Sequence, residues 1–410
     1  MDNKKIILAD GNNFFASCEQ AVNPSLKGKP LCVLSNNDGC IIARSNEAKQ
    51  LGIKMGMPYF MAKKAFPKAI YKSSNFALYH DMSQRMMQRL SGYSDLIDIY
   101  SIDEAFLDIT GMDRVFKTSY KNLITEIKKD IETHIGLSIS IGLASSVILA
   151  KAANHKAKKS TGIYIIEQNE IMNELNEIPV EEIWGIGKNT ARKLRSYGIF
   201  YAADILKKDD NFYRNILGKK GLELKYELSG LSVIPVTGIE KKPKSIQRTR
   251  AFPEFSDNKD YIQTEIMMHL HNVCKKLREN NLETGAISVM FRTKDFKVIY
   301  FGDTTVNPTS SEIELTKKVN ELFNKIYKKG IVYRSSGVWA ANLQDIQKQQ
   351  LSLFKNPQRE KGEKISSVID KIENKFGKGT LAVGKTGIKN IMENHKYKSH
   401  LDTDGTDISC

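Results

Sequence analysis

The stretch "YSIDEAFLDIT", residues 100–110, sets Asp103 and Glu104 side by side within a run of large apolar residues. Neighbouring side chains on a flat strand leave by opposite faces, so an adjacent acidic pair with one task needs a turn, a bulge or a cation to draw it together. With "DLIDIY" before it, the run over 95–110 reads as two strands that meet near Ile102 to Glu104. Residues 5–9 and 31–35 supply further short buried strands, and 136–144 is another β-rich run. Helical patterns fall over 14–22, 46–51, 79–91 and 118–134, and Ser145 or Ser146 can cap a further helix, "VILAKAANHKAKK". The order describes one sheet backed by helices, with residues 23–74 inserted as a small subdomain.

From Pro179 short helices take over, ending near Gly238. A basic linker follows, with Lys241, Lys242, Lys244, Arg248 and Arg250 crowded around Pro243. Residues 245–345 then read as an independent α+β unit, and the chain beyond Leu343 as a flexible tail with one apolar island, "QLSLF" at 350–354. The fold class is therefore α+β and multidomain, which suits a chain of 410 residues. A formal charge of +15 favours a polyanionic partner such as nucleic acid. No apolar run reaches the ~18 residues of a membrane span, and the N-terminus lacks the apolar core of a secretory signal, so the expected location is the cytoplasm. Cysteines at 18, 32, 40, 274 and 410 form no CxxC pair, which argues against a zinc knuckle or a disulfide framework.

Three constellations can carry chemistry. Asp10 leaves the end of the first strand just before Gly11, whose carbonyl is a further oxygen donor. Alone, Asp-Gly is a turn; combined with Asp103 and Glu104 at a hairpin tip, it gives three hard carboxylates suited to two Mg²⁺ ions. Next, Lys151, His155 and Lys158 share one helix face, while Arg44 and Lys49 flank "SNEA". Each reads equally as a solvated surface charge, but beside a carboxylate centre they can grip a nucleoside triphosphate. Last, "GIGKNTARKLRSYGI" (185–199) is either an ordinary helix pair with a glycine turn or a hairpin whose exposed amides hold a backbone phosphate.

The blocks "DGNNFFASCE" (10–19), "GKPLCVLSNNDGCIIARSNEAKQLGIKMGMP" (28–58), "YSIDEAFLDI" (100–109), "SIGLASSVILAKAANHKAK" (140–158) and "EEIWGIGKNTARKL" (181–194) resemble the Y-family translesion DNA polymerases, in particular their UmuC-like bacterial branch. The resemblance implies a right-hand polymerase: palm over 1–22 and 75–170, fingers over 23–74, a thumb with a helix-hairpin-helix over 171–238, a basic linker over 239–245, a little finger over 246–345 and a flexible tail over 346–410. It implies Asp10, Asp103 and Glu104 as catalytic and metal-binding residues, with Gly11 as an added ligand, and Phe15 as a steric gate against ribose. Asn13, Phe14, Phe15, Arg44, Lys49 and Lys158 would line the nucleotide site, and Gly185, Gly187, Lys188, Lys242, Lys244, Arg248 and Arg250 would meet DNA. Gln350, Leu351, Leu353 and Phe354 resemble a sliding-clamp peptide.

The sequence departs from the wider family at Asn12, where many relatives carry an acid, and at Asn46, where other branches carry tyrosine. Asn12 is therefore left out of the metal shell, and the phosphate grip can differ in detail. The implied activity is template-dependent, low-fidelity synthesis across damaged bases in an SOS-type response. The implied partners are primer-template DNA, deoxynucleoside triphosphates, the clamp and a regulatory accessory subunit or recombinase filament. Alternatives are a catalytically silent DNA- or clamp-binding accessory protein and a nucleotide cyclase.

Overall fold

A computed structural model describes residues 4–239, 242–346, 357–377 and 380–381. The chain divides into two compact units at residues 240/241. In the first, β1 (Ile6–Gly11) is buried along its whole length, and α1 (Phe14–Val22) follows it at once. An inserted three-stranded sheet comes next: β2 (Leu31–Leu34), β3 (Ile41–Arg44), α2 (Asn46–Gln50), α3 (Tyr59–Ala65) and β4 (Ile70–Ser73), in strand order β3-β2-β4. It has its own small core around Leu34, Ile41, Ala48 and Ala62.

The chain then returns to the first sheet through α4 (Phe76–Ser91), β5 (Ile97–Ile99), β6 (Glu104–Asp108), α5 (Met112–Val115), α6 (Tyr120–His134), β7 (Ile139–Ala144), α7 (Val147–Ala157) and β8 (Ile163–Ile165). The strand order is β5-β6-β1-β7-β8, which puts β1 in the centre. Strand alternation sorts its residues. Ile7 and Ala9 join the core formed with α4 and α6, whereas Ile6 and Leu8 join Phe106 in the core formed with α7. Asp10 continues the second set.

Two devices seat α7 on the sheet. A Cβ at Gly142 of β7 would lie 2.1 Å from the Asn154 backbone nitrogen and 2.4 Å from the Ala150 carbonyl oxygen, so only glycine permits this approach. Asn154 Nδ2 donates to the carbonyls of Leu8 (3.1 Å) and Ser140 (2.8 Å), which pins the helix across β1 and β7. The Ser146 hydroxyl accepts from Leu149 N as N-cap and donates to the Glu227 carbonyl at 2.6 Å. Glu227 belongs to a helical layer made of α8 (Ile171–Asn176), α9 (Lys188–Arg195), α10 (Ala202–Leu206), α11 (Asp210–Leu217) and α12 (Lys219–Leu228).

The second unit contains β9 (Ile246–Ser256), α13 (Lys259–Glu279), β10 (Leu282–Thr293), β11 (Val298–Thr309), α14 (Glu312–Ile326) and β12 (Tyr333–Asp345), with sheet order β11-β10-β12-β9. One expectation needs correction here. The segment read from composition as a flexible tail contains a helix, α15 (Pro357–Phe376). Asp370 accepts two hydrogen bonds from Arg278, Glu373 pairs with His271 and Lys275, and Ile369 is buried. Composition hid it because α15 is held largely by ion pairs rather than by a broad apolar stripe. The proposed clamp peptide, Gln350, Leu351, Leu353 and Phe354, lies outside the described residues. Among the described residues no helix is long and apolar enough to cross a membrane.

Candidate active site

The strand-face problem posed by Asp103 and Glu104 is solved by where the strand begins. β6 starts at Glu104, and residues 101–103 form a bend, with Tyr100 N and Ser101 N both donating to the Glu104 carbonyl. Glu104 stands opposite Asp10 in the antiparallel ladder, so the two share the α7 face. The Gly11 N–H donates to the Asp103 carbonyl at 2.8 Å, which ties the bend to the end of β1. A Cβ at Gly11 would lie 2.8 Å from the Phe14 ring.

These acids border two clefts. One, of about 650 Å³, is lined by Asp10, Asp103, Phe15, Arg44, Lys49 and Lys158. The other, of about 640 Å³, is lined by Asp10, Glu104, Lys151, Lys158, Trp184 and a set of aliphatic side chains from α7 and the helical layer. Asp10 and Lys158 belong to both. Expectation and structure differ on one point: among the described residues no three acidic, histidine or cysteine side chains converge closely enough to hold a metal ion as they stand. The cause is visible. Lys158 pairs with Asp10 at 2.7 Å and Lys151 with Glu104 at 2.8 Å, so two of the three carboxylates are neutralised by α7, and Asp103 accepts from the Ser101 hydroxyl. The donor set still fits a hard cation, because carboxylate oxygens are its preferred ligands and the ammonium groups occupy the place of the positive charge. Burial, reinforced by repulsion from Asp103 and Glu104 and opposed by Lys158, raises the Asp10 carboxyl to about 6.

The first cleft is rich in cations. Arg44 has Nε and Nη1 buried without a partner, and an unpaired buried guanidinium calls for an anion. The Lys49 ammonium is pushed below the usual lysine range by partial desolvation and by repulsion from Arg44 and Lys158. Phe15 stacks on Tyr79 with ring centroids 4.5 Å apart, and Tyr79 is itself fixed by donating to Glu19 at 2.8 Å. The Phe14 ring is buried, so only its backbone can serve a ligand. Asn13 adopts a left-handed conformation (φ 51°) as N-cap of α1 and donates to the Asn46 side chain at 2.8 Å. Asn12 is occupied by Ser138 and Ser140 and stays out of the carboxylate group.

Gly185 (φ +88°), Gly187 and Lys188 lie exposed at the turn that opens α9. In the second unit Lys244 and Arg248 are exposed, and Lys242 pairs with Asp345. Arg250 departs from its expected role. It shares the strand face of buried Ile246 and Phe252, with guanidinium nitrogens buried close enough to Glu265 and His269 to influence both.

Family models match along the chain: the impB/mucB/samB family over residues 9–155, the IMS family HHH motif over 169–199 and the impB/mucB/samB family C-terminal domain over 243–353. Protein UmuC of Salmonella typhimurium is 33% identical over 398 residues, covering 93% of both chains. The chain belongs to the UmuC-like branch of the Y-family DNA polymerases. DNA polymerase IV 1 of Bacillus subtilis is 30% identical, covering 92% of both chains. Among solved structures, a Dbh–Dpo4 Y-family polymerase chimera matches with a TM-score of 0.70 at 29% identity, covering 83% of this chain and 99% of the other. An insertion ternary complex of Dbh DNA polymerase matches with a TM-score of 0.57 at 29% identity and the same coverage. This polymerase is thus a DNA-directed DNA polymerase of the translesion class, which sets aside the silent accessory and cyclase readings.

Several residues of the polymerase site escaped sequence reasoning. The pairing of Lys151 with Glu104 follows from helix spacing only once β6 and α7 are known to be neighbours. Tyr100 and Trp184 both stand inside the quoted motifs, yet only the acids and glycines beside them carry an evident chemistry.

Proposed function

We propose that the polymerase extends a primer across damaged template bases by two-metal nucleotidyl transfer, with Mg²⁺ as the cation, and does so with low fidelity in an SOS-type DNA damage response. The observation that carries this reading is the charge arrangement of the first cleft. Unpaired Arg44, Lys49 with its repelled ammonium, and Lys158 stand with Asp10 and Asp103 around one space, as a metal-bound triphosphate requires.

Asp10, Asp103 and Glu104, with the Gly11 carbonyl, would hold the cations. When bound, these lower the pKa of the primer 3′-hydroxyl and neutralise the departing pyrophosphate. Arg44, Lys49 and Lys158 bind and orient the phosphates. Asn13 and Phe14 line the same cleft, and their backbone amides, at the start of α1 where N–H groups lack intrahelical partners, would meet the phosphates. Phe15, braced by Tyr79, bears on the sugar and excludes a 2′-hydroxyl. Gly185, Gly187 and Lys188 take a backbone phosphate of the duplex, with Lys242, Lys244 and Arg248 adding salt-sensitive contacts. Arg250, whose guanidinium nitrogens are buried, is left out of that set.

Residues 350–354 are the proposed clamp peptide, which would raise the local concentration of the enzyme at a primer end. A regulatory subunit or recombinase filament is a proposed further partner, and the cytoplasm the proposed compartment. Similarity to UmuC supports the SOS assignment. Primer extension with Mg²⁺ and deoxynucleotides on intact and lesion-bearing templates tests the reading. Extension past the lesion by wild type is expected; failure on both templates over a range of salt, with and without the clamp, would overturn it.

A further inference from the structure

Lys151 serves two kinds of partner at once. Its ammonium lies 2.8 and 3.0 Å from the two Glu104 carboxylate oxygens, and also 4.8 Å from the centre of the Tyr100 ring and 5.8 Å from that of Trp184. The rings are locked together. Trp184 Nε1–H donates to the Tyr100 hydroxyl at 3.2 Å, the two meet edge to face with centroids 5.4 Å apart, and Trp184 also packs against Phe106 at 5.9 Å. Position matters as much as contact. Tyr100 opens the bend that carries Asp103 and Glu104, and Trp184 immediately precedes Gly185 of the proposed DNA-gripping turn.

A carboxylate chelating an ammonium cannot offer the same oxygens to a divalent cation, so the ion pair must break before Glu104 can act as a ligand. A lysine expelled from a partly buried carboxylate is costly to leave without a partner. Here two aromatic faces within 6 Å supply one, at a strength set by cation–π attraction. We infer that Lys151 is a positioning residue that shares its charge between Glu104 and the rings before a cation binds, and is held by Tyr100 and Trp184 alone once a divalent cation takes Glu104. The inference rests on the proposed role of Glu104 as a cation ligand.

The consequence is a physical link between the carboxylates and the turn at Gly185–Gly187. Losing the Glu104 carboxylate leaves the ammonium to the rings alone and changes the field at Trp184, the residue that enters the turn. By thermodynamic reciprocity, DNA held at that turn changes the cation affinity by the same factor that the cation changes the affinity for DNA.

The chain has two tryptophans, so a Trp339→Phe background leaves Trp184 as the reporter. In that protein, Mg²⁺ is titrated while Trp184 emission is followed, and Mg²⁺ binding is measured separately by calorimetry, with and without primer-template DNA. A saturable emission change that tracks binding is expected. Lys151→Met, which keeps the aliphatic stem and loses the charge, is expected to abolish the emission change and tighten Mg²⁺ about three- to tenfold, because the competing ion pair is gone. Lys151→Arg, which restores a cation, is expected to return the affinity towards wild type and so separates charge from folding. Equal Mg²⁺ affinity in wild type and Lys151→Met, or bound Mg²⁺ that leaves Trp184 emission unchanged, would overturn the inference. If calorimetry finds no Mg²⁺ binding to wild type at all, the underlying ligand role of Glu104 falls, and this link with it.

Discussion

The two clefts on either side of Asp10 share a carboxylate and a lysine but differ in nearly everything else. The first joins Asp103 to Arg44, Lys49 and a braced Phe15, and two guanidinium nitrogens of Arg44 are buried there without a partner. The second joins Glu104 to Trp184, Leu8, Ile148 and other apolar side chains, and there Lys151 is already paired with Glu104 and Lys156 with Glu174 and Glu177. An excess of buried or crowded positive charge is stable only if an anionic ligand is to come. A matched pair against an apolar wall is instead a structure that holds its shape until a stronger cation intervenes. This difference supports the proposal that the nucleotide binds in the first cleft and that Lys151 holds a positioning role at the second, with Asp10 at their common edge.

Substitutions at that edge should produce the largest effects. Asp103→Ala should reduce primer extension by about a thousandfold or more while leaving DNA binding in place, as gel-shift and extension assays on one preparation would show. In the first cleft, Arg44→Ala and Lys49→Ala should each raise the KM for deoxynucleotide about tenfold with a smaller loss in kcat. Unchanged KM would mean that the unpaired guanidinium serves another anion. Phe15→Ala should lower discrimination against ribonucleotides by at least about tenfold, and equal sugar selectivity in steady-state kinetics would remove Phe15 from the gate.

The smallest expected effect is on stability. Burial raises the Asp10 carboxyl in the folded protein to about 6, above the usual carboxylate range that holds when the chain is unfolded, so the folded state binds more protons between those values. The contribution of Asp10 is therefore fully present below about pH 4 and is lost as pH rises through 6. Without metal, Asp10→Asn should match wild type near pH 4 and exceed it by about 1–2 kcal/mol at pH 7 in denaturant titrations, because it removes a buried charge. A mutant less stable than wild type at pH 7 would show that the Lys158 pair outweighs burial.

Much of the site was legible in the sequence because its residues sit at ends of regular elements. Asp10 follows an apolar strand, and Lys151 and Lys158 keep helical spacing. Their partners were not legible. Which lysine meets which carboxylate depends on β1 lying between β6 and β7, a long-range pairing that periodicity does not encode. Arg250 misled for a local reason: charge crowding near Pro243 looked uniform, whereas Arg250 buries its guanidinium nitrogens and Arg248, two residues before it on the same strand face, stays exposed. The helix α15 escaped because its anchors, Asp370 and Glu373, are acids that composition counts as solvated.

The central claim is that Asp10 is the carboxylate shared by the two sides of one cation centre. Counting bound Mn²⁺ by electron paramagnetic resonance, with a dideoxy-terminated primer-template and the next deoxynucleotide, tests it most directly. About two ions per wild-type molecule are expected, falling to one or none in Asp10→Asn. Two tightly held ions in Asp10→Asn would contradict it.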